Sequence, residues 1–478
     1  MENGKYHVRQ PLLALFSEKE LEGLHYAGLE ILEDSGVDVH HDQARKLLHE
    51  AGAHVNGINV KIPAGLVKQA LDSVPERIML ADRNRNRVMP LEGCKVYFGT
   101  GSDLINTIDL ETGERRLSKL NDVAMSATLC DALPNIDFLM SYALPHDVPE
   151  DKVEVYQTAE MLKHSSKPII MTVCNDKQSL KDIIDLCAMV AGGMDELQKN
   201  PFLCIYGQFV SPLVHTVEAV DRLMTCADYR IPIIYVPTIM AGMSGPATMA
   251  GALAVGNAEV LAGIVMSQLK RKGAPFVYGG CISSFDMSKM ILPYGAPEWH
   301  MASAILAQMA QKYRLPVFST AGCSDSKIPD EQAVAEASMS LLLAGLSGAN
   351  LIHDVGYLES GMTGSLHYLA MCDELIGYVR RVLRNFDVNE TSLALDVMSR
   401  VGPGGSFIGE QHTFDHYKSE TWYPGLWNRD IHDTWQKQGQ EGFSRKARQK
   451  AIHILRNHQP EPLDKKIRQE MDDFIRNL

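Results

Sequence analysis

Aromatic and uncharged polar residues follow a series of short aliphatic runs in the middle of the chain, and these side chains are the best placed to form a site. They are Tyr142, Thr172–Asn175, Tyr206–Phe209, Tyr235–Pro237, Tyr278–Cys281, Ser319–Gly322 and His353–Tyr357. Aromatic faces attract quaternary ammonium groups. A site walled by tyrosines, without a clear acid–base pair, would therefore suit an organic cation. The alternative is that some of these rings only pack between strands and helices.

The motifs of common catalytic machineries are absent from the chain. It contains no HExxH, GxSxG, Walker or strand-following GxGxxG pattern, and Gly402–Gly405 is best interpreted as a flexible loop. Cys281 and Cys323 follow two aliphatic runs, where small buried thiols are common. His412 and His416 have helical i, i+4 spacing, but glycines and aromatics surround them. Neither pair has the closely spaced partners that zinc needs, so we expect no intrinsic metal.

The aliphatic runs predict parallel β-strands. They are Ile136–Ala143, Pro168–Val173, Phe202–Tyr206, Ile233–Val236, Phe276–Gly279, Val317–Thr320 and Asn350–Asp354, and they begin roughly 30–44 residues apart. Between and after them, apolar residues at three- and four-residue spacing predict the helices Val153–His164, Ser179–Ala191, Thr216–Tyr229, Ala247–Lys272, Pro297–Tyr313, Asp330–Gly348 and Leu366–Phe386. This alternation predicts an α/β fold, a (β/α)8 TIM barrel whose eighth strand is Ser406–Gly409. Active sites of such barrels lie where the strands end.

Three regions are expected along the chain. Residues 1–117 would form N-terminal helices and a β-meander packed on the barrel, with strands at Val96–Phe98 and Leu104–Asp109. Residues 118–415 would form the barrel, with its active site at the carboxyl ends of the strands. Residues 416–478 are polar and would form a C-terminal helical tail, packed on the barrel or on a partner subunit.

The composition is that of an ordinary globular protein of a reducing compartment. The chain has 478 residues and a net charge of −13, which does not suit a nucleic-acid partner because phosphate binding needs clustered Lys and Arg. Its nine cysteines are dispersed without a CxxC pair, as free thiols are. The run Leu12–Phe16 is too short for a signal peptide, and Met249–Leu269 is better explained as a barrel helix than as a membrane span. We expect a cytoplasmic protein without a membrane partner.

The chain also resembles a known family in the order and spacing of six sets of segments. They are Val96–Gly101; Ser211–Leu213; Ala241–Thr248 with Gly251–Leu253 and Asn257–Gly263; Gly295–Glu298; Ser324–Asp330 with Gln332 and Ala333; and Gly348–His353 with Leu358–Gly361. They are similar to segments of the trimethylamine methyltransferase family, in its branch without pyrrolysine. Pyrrolysine-bearing members place that residue near the Asp325–Pro329 loop, where this chain has Ile328 and only standard residues. The resemblance implies a (β/α) barrel, and this departure favours a quaternary amine over trimethylamine as substrate.

By this resemblance the protein would move a methyl group from a quaternary amine, such as glycine betaine, to the cobalt(I) of a corrinoid carried on a separate small protein. A quaternary ammonium has no N–H to remove, and its leaving group is a neutral tertiary amine, so no general base is needed. The nucleophile belongs to the cofactor, so no activated Ser or Cys is needed either. The protein would contribute positioning alone, with no catalytic residue.

Nine residues are assigned to the expected site. Tyr97, Phe209, Tyr235 and Tyr357 would surround the ammonium head, Gln208 and His353 would donate hydrogen bonds to a substrate carboxylate, and Gly245, Asp325 and His412 would face the corrinoid or its carrier. Phe209 and Tyr235 are equally explained as packing residues, and His353 as a buried histidine with satisfied hydrogen bonds. Asp325 could instead cap the helix that begins near Pro329.

Two other functions stay open from the sequence. One is a different enzyme on the same scaffold, such as a zinc-dependent methyltransferase or a lyase. The other is a non-catalytic protein that binds a small molecule or the corrinoid protein. Among quaternary amines, glycine betaine, proline betaine, carnitine and γ-butyrobetaine all stay open. The polar tail and the family resemblance favour a homo-oligomer.

Overall fold

The computed structural model describes residues 10–477 as an α/β fold built on a parallel sheet. Its strands are β1 Val37–Val39, β2 His54–Asn56, β3 Asn59–Lys61, β4 Ile78–Ala81, β5 Arg87–Leu91, β6 Tyr97–Phe98, β7 Asn106–Ile108, β8 Arg115–Leu117, β9 Ile169–Thr172, β10 Leu203–Gln208, β11 Val214–His215, β12 Ile233–Val236, β13 Thr238–Ala241, β14 Phe276–Gly279, β15 Cys281–Ser284, β16 Val317–Thr320, β17 Leu351–His353, β18 Tyr357–Leu358 and β19 Thr363–Gly364. Its α-helices are α1 Glu18–Glu30, α2 Asp42–Glu50, α3 Ala64–Leu71, α4 Leu120–Ala132, α5 Val153–His164, α6 Lys177–Ala191, α7 Met194–Lys199, α8 Val217–Tyr229, α9 Met249–Lys270, α10 Pro297–Tyr313, α11 Glu331–Ser347, α12 Leu366–Arg384, α13 Glu390–Leu393, α14 Leu395–Val401, α15 Gln411–Glu420, α16 His432–Lys437, α17 Phe443–Asn457 and α18 Lys465–Arg476. Of the predicted N-terminal region, residues 1–9 lie outside the described part of the chain.

Seven strands form the central sheet in the order β6-β17-β16-β14-β12-β10-β9, and every neighbouring pair is parallel. The residues of β9, β12, β14 and β16 are buried throughout. Continuous aliphatic runs are typical of such strands, because helices cover one face of the sheet and side chains of other strands fill the other. The predicted parallel αβ alternation is therefore confirmed.

The two edge strands of this sheet are each joined to the segment around Phe138 by a single bridge. Gly99, just after β6, bridges Phe138, and Leu139 bridges Ile169 of β9. The Thr100 hydroxyl interrupts a regular ladder here, because its oxygen accepts from Met140 N at 2.9 Å and donates to the Met140 carbonyl oxygen at 3.1 Å. Ile136–Ala143, predicted as a strand, therefore forms isolated bridges only.

One predicted strand belongs to a different sheet, and another is not a strand. The sequence places Val96–Phe98 in an N-terminal meander, but Tyr97 and Phe98 pair in parallel with Leu351 and Ile352 of the central sheet. It makes Ser406–Gly409 the eighth strand, but these residues form an exposed loop between α14 and α15. A strand of two residues is too short to show the hydrophobic pattern on which strand prediction rests.

Helix α9 is the buried centre of the helical layer. It packs against β12 and β15 on one side and against α1 and α3 on the other. Gly28 of α1 allows the close approach, since a Cβ there would come within 2.8 Å of Asn257 Nδ2. Among the described residues α9 alone is long and apolar enough to span a membrane, and 78% of its apolar stretch is buried inside the protein. It is explained as a core helix, as predicted.

The interior of the sheet is filled at the end where the strands begin. The β4–β5 hairpin places Ile78, Leu80, Met89 and Leu91 in one apolar cluster with the inward side chains of the sheet. That end is therefore closed. Beyond the opposite end, β13 and β15 continue past the sheet and pair with each other. The end where the strands finish, called the mouth below, is where a ligand could enter.

Candidate functional site

Tyr206, Gln208 and His353 lie together at the mouth. Residues i and i+2 of a strand share a face, so β10 directs both Tyr206 and Gln208 inward, and the Gln208 amide donates a hydrogen bond to Tyr206 Oη. The Tyr206 ring lies 6.1 Å from the His353 ring, and Phe318 packs on His353 at 4.0 Å between centroids. Gln208 is exposed although its strand is otherwise buried. The mouth is therefore open above these rings.

His353 and Asp354 form a buried pair. His353 Nδ1 lies 2.8 Å from the Ser319 carbonyl oxygen, which can only accept, so Nδ1 carries the hydrogen. Nε2 lies 3.2 Å from Asp354 Oδ1. Burial lowers the pKa of His353 to about 3 and raises the pKa of Asp354 well above its ordinary value. Both shifts favour the neutral forms, in which the Asp354 carboxyl donates to Nε2.

Asp354 is the ionisable group that the mouth offers to a ligand. It is 4% exposed and has φ 70°, a left-handed conformation that side chains other than Asn and Asp rarely adopt. Gly101 makes room for it, because a Cβ there would collide with both Asp354 Oδ1 and Tyr357 Oη. The Tyr357 hydroxyl, held beside the carboxyl, donates to the Ser102 carbonyl oxygen. The Asp354 carboxyl and the Tyr357 ring are therefore neighbours at the mouth.

Tyr294 also faces Asp354, from the loop after β15. Burial, and then the nearby Asp354 and Cys281, raise the pKa of the Tyr294 phenol well above its ordinary value. Asp325 fixes this loop by accepting hydrogen bonds from Tyr294 N and Ser360 Oγ, both at 2.7 Å. Asp325 does not cap the following helix, since the N-cap of α11 is Asp330, which accepts from Ala333 N. The role that the structure shows for Asp325 is to hold the loop.

Three of the predicted substrate residues are brought together and three are not. Gln208, His353 and Tyr357 surround the mouth. Phe209 and Tyr235 lie on the helix-facing side of the sheet, where their rings pack 4.7 Å apart and Tyr235 Oη bonds the buried His215 at 2.9 Å. Tyr97 begins its strand, so it lies at the closed end. Burial, with Asp137 and Glu92 beside it, raises the pKa of Tyr97 to about 12.

Of the residues predicted to face the corrinoid, Gly245 and Asp325 lie on loops after strands and His412 does not. Gly245 closes the turn after β13, where its carbonyl oxygen accepts from Gly242 N at 3.0 Å. His412 lies in α15, and its Nε2 is 3.0 Å from the Thr391 carbonyl oxygen. Helix α15 is tied to the end of α12, since Arg381 donates to the Glu420 carbonyl oxygen. Because that end of α12 lies beside the beginnings of the strands, His412 is remote from the mouth.

Exposed methionines ring the mouth. They are Met243 after β13, Met287 and Met290 after β15, and Met362 before β19. Methionine side chains are flexible and polarizable, and they are over-represented on surfaces that bind large apolar partners. The loops after the strands therefore offer a soft apolar rim.

The described residues contain no group of three or more His, Cys, Asp or Glu side chains placed to hold a metal ion. Burial raises the pKa of Cys281 to about 12 and raises that of Cys323 well above its ordinary value. These thiols are therefore protonated at neutral pH. His412 and His416 stack on each other at 4.4 Å between ring centroids.

The chain is similar over almost its whole length to known methyltransferases. The family profile described as "Trimethylamine methyltransferase (MTTB)" matches residues 2–477. The trimethylamine methyltransferase MttB of Desulfitobacterium hafniense (strain DSM 10664 / DCB-2) is 35% identical over 457 residues, covering 95% of this chain and 92% of that protein. The glycine betaine methyltransferase of Desulfitobacterium hafniense (strain Y51) is 31% identical over 469 residues, covering 97% of each. The crystal structure of the Methanosarcina barkeri monomethylamine methyltransferase (MtmB) shares the fold, with a TM-score of 0.51 at 11% identity over 97% of this chain and 89% of that one.

Proposed function

The chain belongs to the trimethylamine methyltransferase family and is thus a methyltransferase, and we propose that it moves a methyl group from a quaternary amine to the cobalt(I) of a corrinoid carried on a separate small protein. The proposal is supported by relatives named for trimethylamine and for glycine betaine. The chain has Ile328 and standard residues in the Asp325–Pro329 loop, where family members with pyrrolysine are expected to carry it. A quaternary substrate is therefore preferred to trimethylamine.

The observation that carries this proposal is the buried Asp354 among aromatic rings. Burying an isolated carboxylate is costly, and burial therefore raises the pKa of Asp354 and disfavours its ionised form unless a positive charge lies beside it. A quaternary ammonium beside Asp354 would favour the ionised carboxyl, and the rings of Tyr206, Tyr294 and Tyr357 would attract the methyl groups through cation–π contacts of about 2 kcal/mol when desolvated. A permanent cation fits this site better than a neutral amine does.

Gln208 and His353 take different roles from each other in this proposal. Gln208 is exposed at the mouth and uses one amide hydrogen for Tyr206 Oη. Its second hydrogen is available for a substrate carboxylate, which favours a betaine. His353 has no free N–H, because Nδ1 donates to Ser319 and Nε2 accepts from Asp354. His353 is therefore proposed to position Asp354 rather than to bind the substrate carboxylate.

The chain's own contribution is positioning. Bound at the rim, the corrinoid would supply the cobalt nucleophile. Asp354 and the tyrosines would hold the ammonium in the mouth with one methyl directed outward, and the tertiary amine would leave without needing a proton. The open rim of exposed methionines, with Gly245 and the Asp325 loop, fits a large partially apolar partner.

Several wider features belong to the same proposal. Ile136–Ala143 would be the irregular eighth member of a (β/α) barrel, joined by its bridges to both sheet edges. A homo-oligomer is supported by exposed apolar residues on the short helices and loops between α12 and α17, among them Leu395, Ile408, Phe414 and Ile431. Nine free cysteines support a reducing cytoplasm.

The direct test is a substrate screen with free cob(I)alamin, whose loss is followed by its visible spectrum. Glycine betaine, proline betaine, carnitine and γ-butyrobetaine are compared with trimethylamine at equal concentration. We expect consumption of cob(I)alamin with at least one quaternary amine and formation of the matching tertiary amine by mass spectrometry. Turnover of trimethylamine alone would contradict the quaternary substrate, and binding without any turnover would contradict the proposed reaction.

A further inference from the structure

A second cavity, of about 590 Å³, lies beside the mouth. Its wall includes Cys174 and Asn175, which follow β9, and the first turns of α5. Small-molecule sites have volumes of roughly 300–1,000 Å³, so the cavity can hold a small organic ligand. None of the residues proposed to bind the quaternary amine lines it.

Two residues of the cavity wall each have a buried acceptor atom without a hydrogen-bond partner. Glu154 is 4% exposed; its Oε1 accepts from Asn175 N at 2.9 Å, whereas its Oε2 has no hydrogen bond. Gln157 is fully buried; its Nε2 donates to the Ala143 carbonyl oxygen and to Asp103 Oδ1, whereas its Oε1 has no hydrogen bond. Buried polar atoms are nearly always hydrogen-bonded in folded proteins. These two acceptors therefore point to a ligand that brings donors.

The charge of the cavity indicates that the ligand is a cation. Asp103 and Glu154 both line it, and burial raises the pKa of each carboxyl. A bound positive charge would offset the cost of burying these carboxylates. The remaining wall includes Leu144, Pro145, Val148 and Val153, which suit alkyl groups.

We propose that this cavity binds a small protonated alkylamine, an ammonium ion that carries at least one N–H. The N–H donates to Glu154 Oε2 or Gln157 Oε1, and the alkyl groups contact the apolar wall. A quaternary ammonium of the same size has no N–H to donate, so the cavity discriminates between the two classes. At neutral pH the nitrogen of the tertiary amine released in the proposed reaction carries such an N–H, a link that rests on the proposed function.

Cys174 gives a local readout of this cavity. It is exposed, whereas the other cysteines are buried or partly buried. The intact protein is treated with N-ethylmaleimide, and modification of Cys174 is followed by peptide mass spectrometry with trimethylammonium chloride or tetramethylammonium chloride present. These probes differ by one methyl group in place of one N–H. We expect trimethylammonium to protect Cys174 at concentrations at least tenfold lower than tetramethylammonium. Equal protection by both probes, or protection by neither, would overturn the proposal.

Matched variants assign the effect to the unpartnered oxygen. Glu154→Gln keeps Oε1 for the backbone N–H groups of Cys174 and Asn175 and removes only the second acceptor and the charge. Glu150→Gln removes the same charge from an exposed position of the cavity wall. We expect protection by trimethylammonium to need at least tenfold more ligand in Glu154→Gln and to be unchanged in Glu150→Gln. Equal losses in both variants would show general electrostatics and refute a specific site. The comparison of the two probes on the unsubstituted protein stands even if a variant fails to fold.

Discussion

Replacing Asp354 by asparagine tests the electrostatic core of the proposed site. Asparagine has almost the same shape, its amide can donate to His353 Nε2 as the carboxyl does, and it tolerates the φ of 70° at this position. The variant is therefore expected to fold. It differs in one respect, because the introduced amide cannot ionise when a cation binds beside it.

The expected loss follows from two opposing terms. Unit charges about 4 Å apart attract each other by about 4 kcal/mol at an effective dielectric constant of about 20. Ionising a buried carboxyl costs about 1.4 kcal/mol for each unit by which its pKa exceeds the pH, and burial raises the pKa of Asp354. If the two terms leave a net of about 2 kcal/mol, the dissociation constant rises roughly 30-fold.

The assay compares glycine betaine with 3,3-dimethylbutanoate by isothermal titration calorimetry. This analogue has the same shape and the same carboxylate, but a neutral carbon replaces the quaternary nitrogen. In the unsubstituted protein glycine betaine is expected to bind more tightly than the analogue, and Asp354→Asn is expected to reduce this preference about 30-fold. The part of the preference that the tyrosine rings contribute is expected to remain. KM for glycine betaine in the cob(I)alamin assay is expected to rise with the dissociation constant.

Two patterns of results would refute the reasoning. If Asp354→Asn weakens both ligands by the same factor, the residue acts through the shape of the mouth and not through charge. If it weakens neither, the cation binds elsewhere. A circular dichroism spectrum and a thermal melt of the variant distinguish both outcomes from loss of the fold.

Three further predictions concern protonation and packing. A bound cation lowers the raised pKa of Asp354, so binding of glycine betaine is expected to release a proton at pH values between the pKa of Asp354 in the complex and its pKa in the free protein. Binding is expected to become tighter as pH rises through that window. Calorimetric titrations in buffers of different ionisation enthalpy measure the released proton, and an equal heat in all buffers would contradict the prediction. Gly101→Ala is expected to lower kcat/KM at least 100-fold, since its Cβ would collide with Asp354 and Tyr357, whereas Gly65→Ala, which has open space around it, serves as the control that keeps activity. Burial raises the pKa of Glu259 to about 8, so the stability that its protonated form contributes is present below about pH 4.5 and is lost as pH rises to 8. Glu259→Gln is therefore expected to be more stable than the unsubstituted protein at pH 9, by roughly 2–4 kcal/mol, but not at pH 5. Melting curves of the two proteins that coincide at both pH values would count against this.

The sequence predicted the regular elements of the fold well. The strands Ile233–Val236, Phe276–Gly279 and Val317–Thr320 and the helices Val153–His164 and Pro297–Tyr313 have the predicted bounds. Hydrophobic periodicity determines such elements, because each buries a full face of its own. The closing part of the sheet could not be predicted, since β6 has two residues and the segment around Phe138 makes single bridges in place of a ladder.

The candidate site was predicted only in part, because buried strands hide which side faces inward. In β12 the interior residues are Ile234 and Val236, and Tyr235 between them points to the helices. Every residue of this strand is apolar or aromatic, so alternation gives no signal. In β10 the polar Gln208 marks the inner face, and its prediction as a mouth residue agrees with its position.

Asp354 and Tyr294 could not be assigned from the sequence. Asp354 stands directly after an aliphatic run, which placed it at a strand end, but its burial beside His353 depends on Gly101, which follows the neighbouring strand β6. Tyr294 lies ten residues after the end of β15 and reaches the mouth only because Asp325 holds its loop. Contacts between residues so distant in sequence are a product of the tertiary structure.

The hairpin that seals one end of the sheet imposes an order of events on the proposed reaction. Because Leu80 and Leu91 fill the closed end of the sheet, the small-molecule substrate and the proposed macromolecular acceptor would both have to approach through the mouth. Once the larger of the two has docked there, the smaller has no other route in. If the proposed corrinoid carrier docks at the mouth, sequential kinetics are expected, in which the amine binds first and the carrier second.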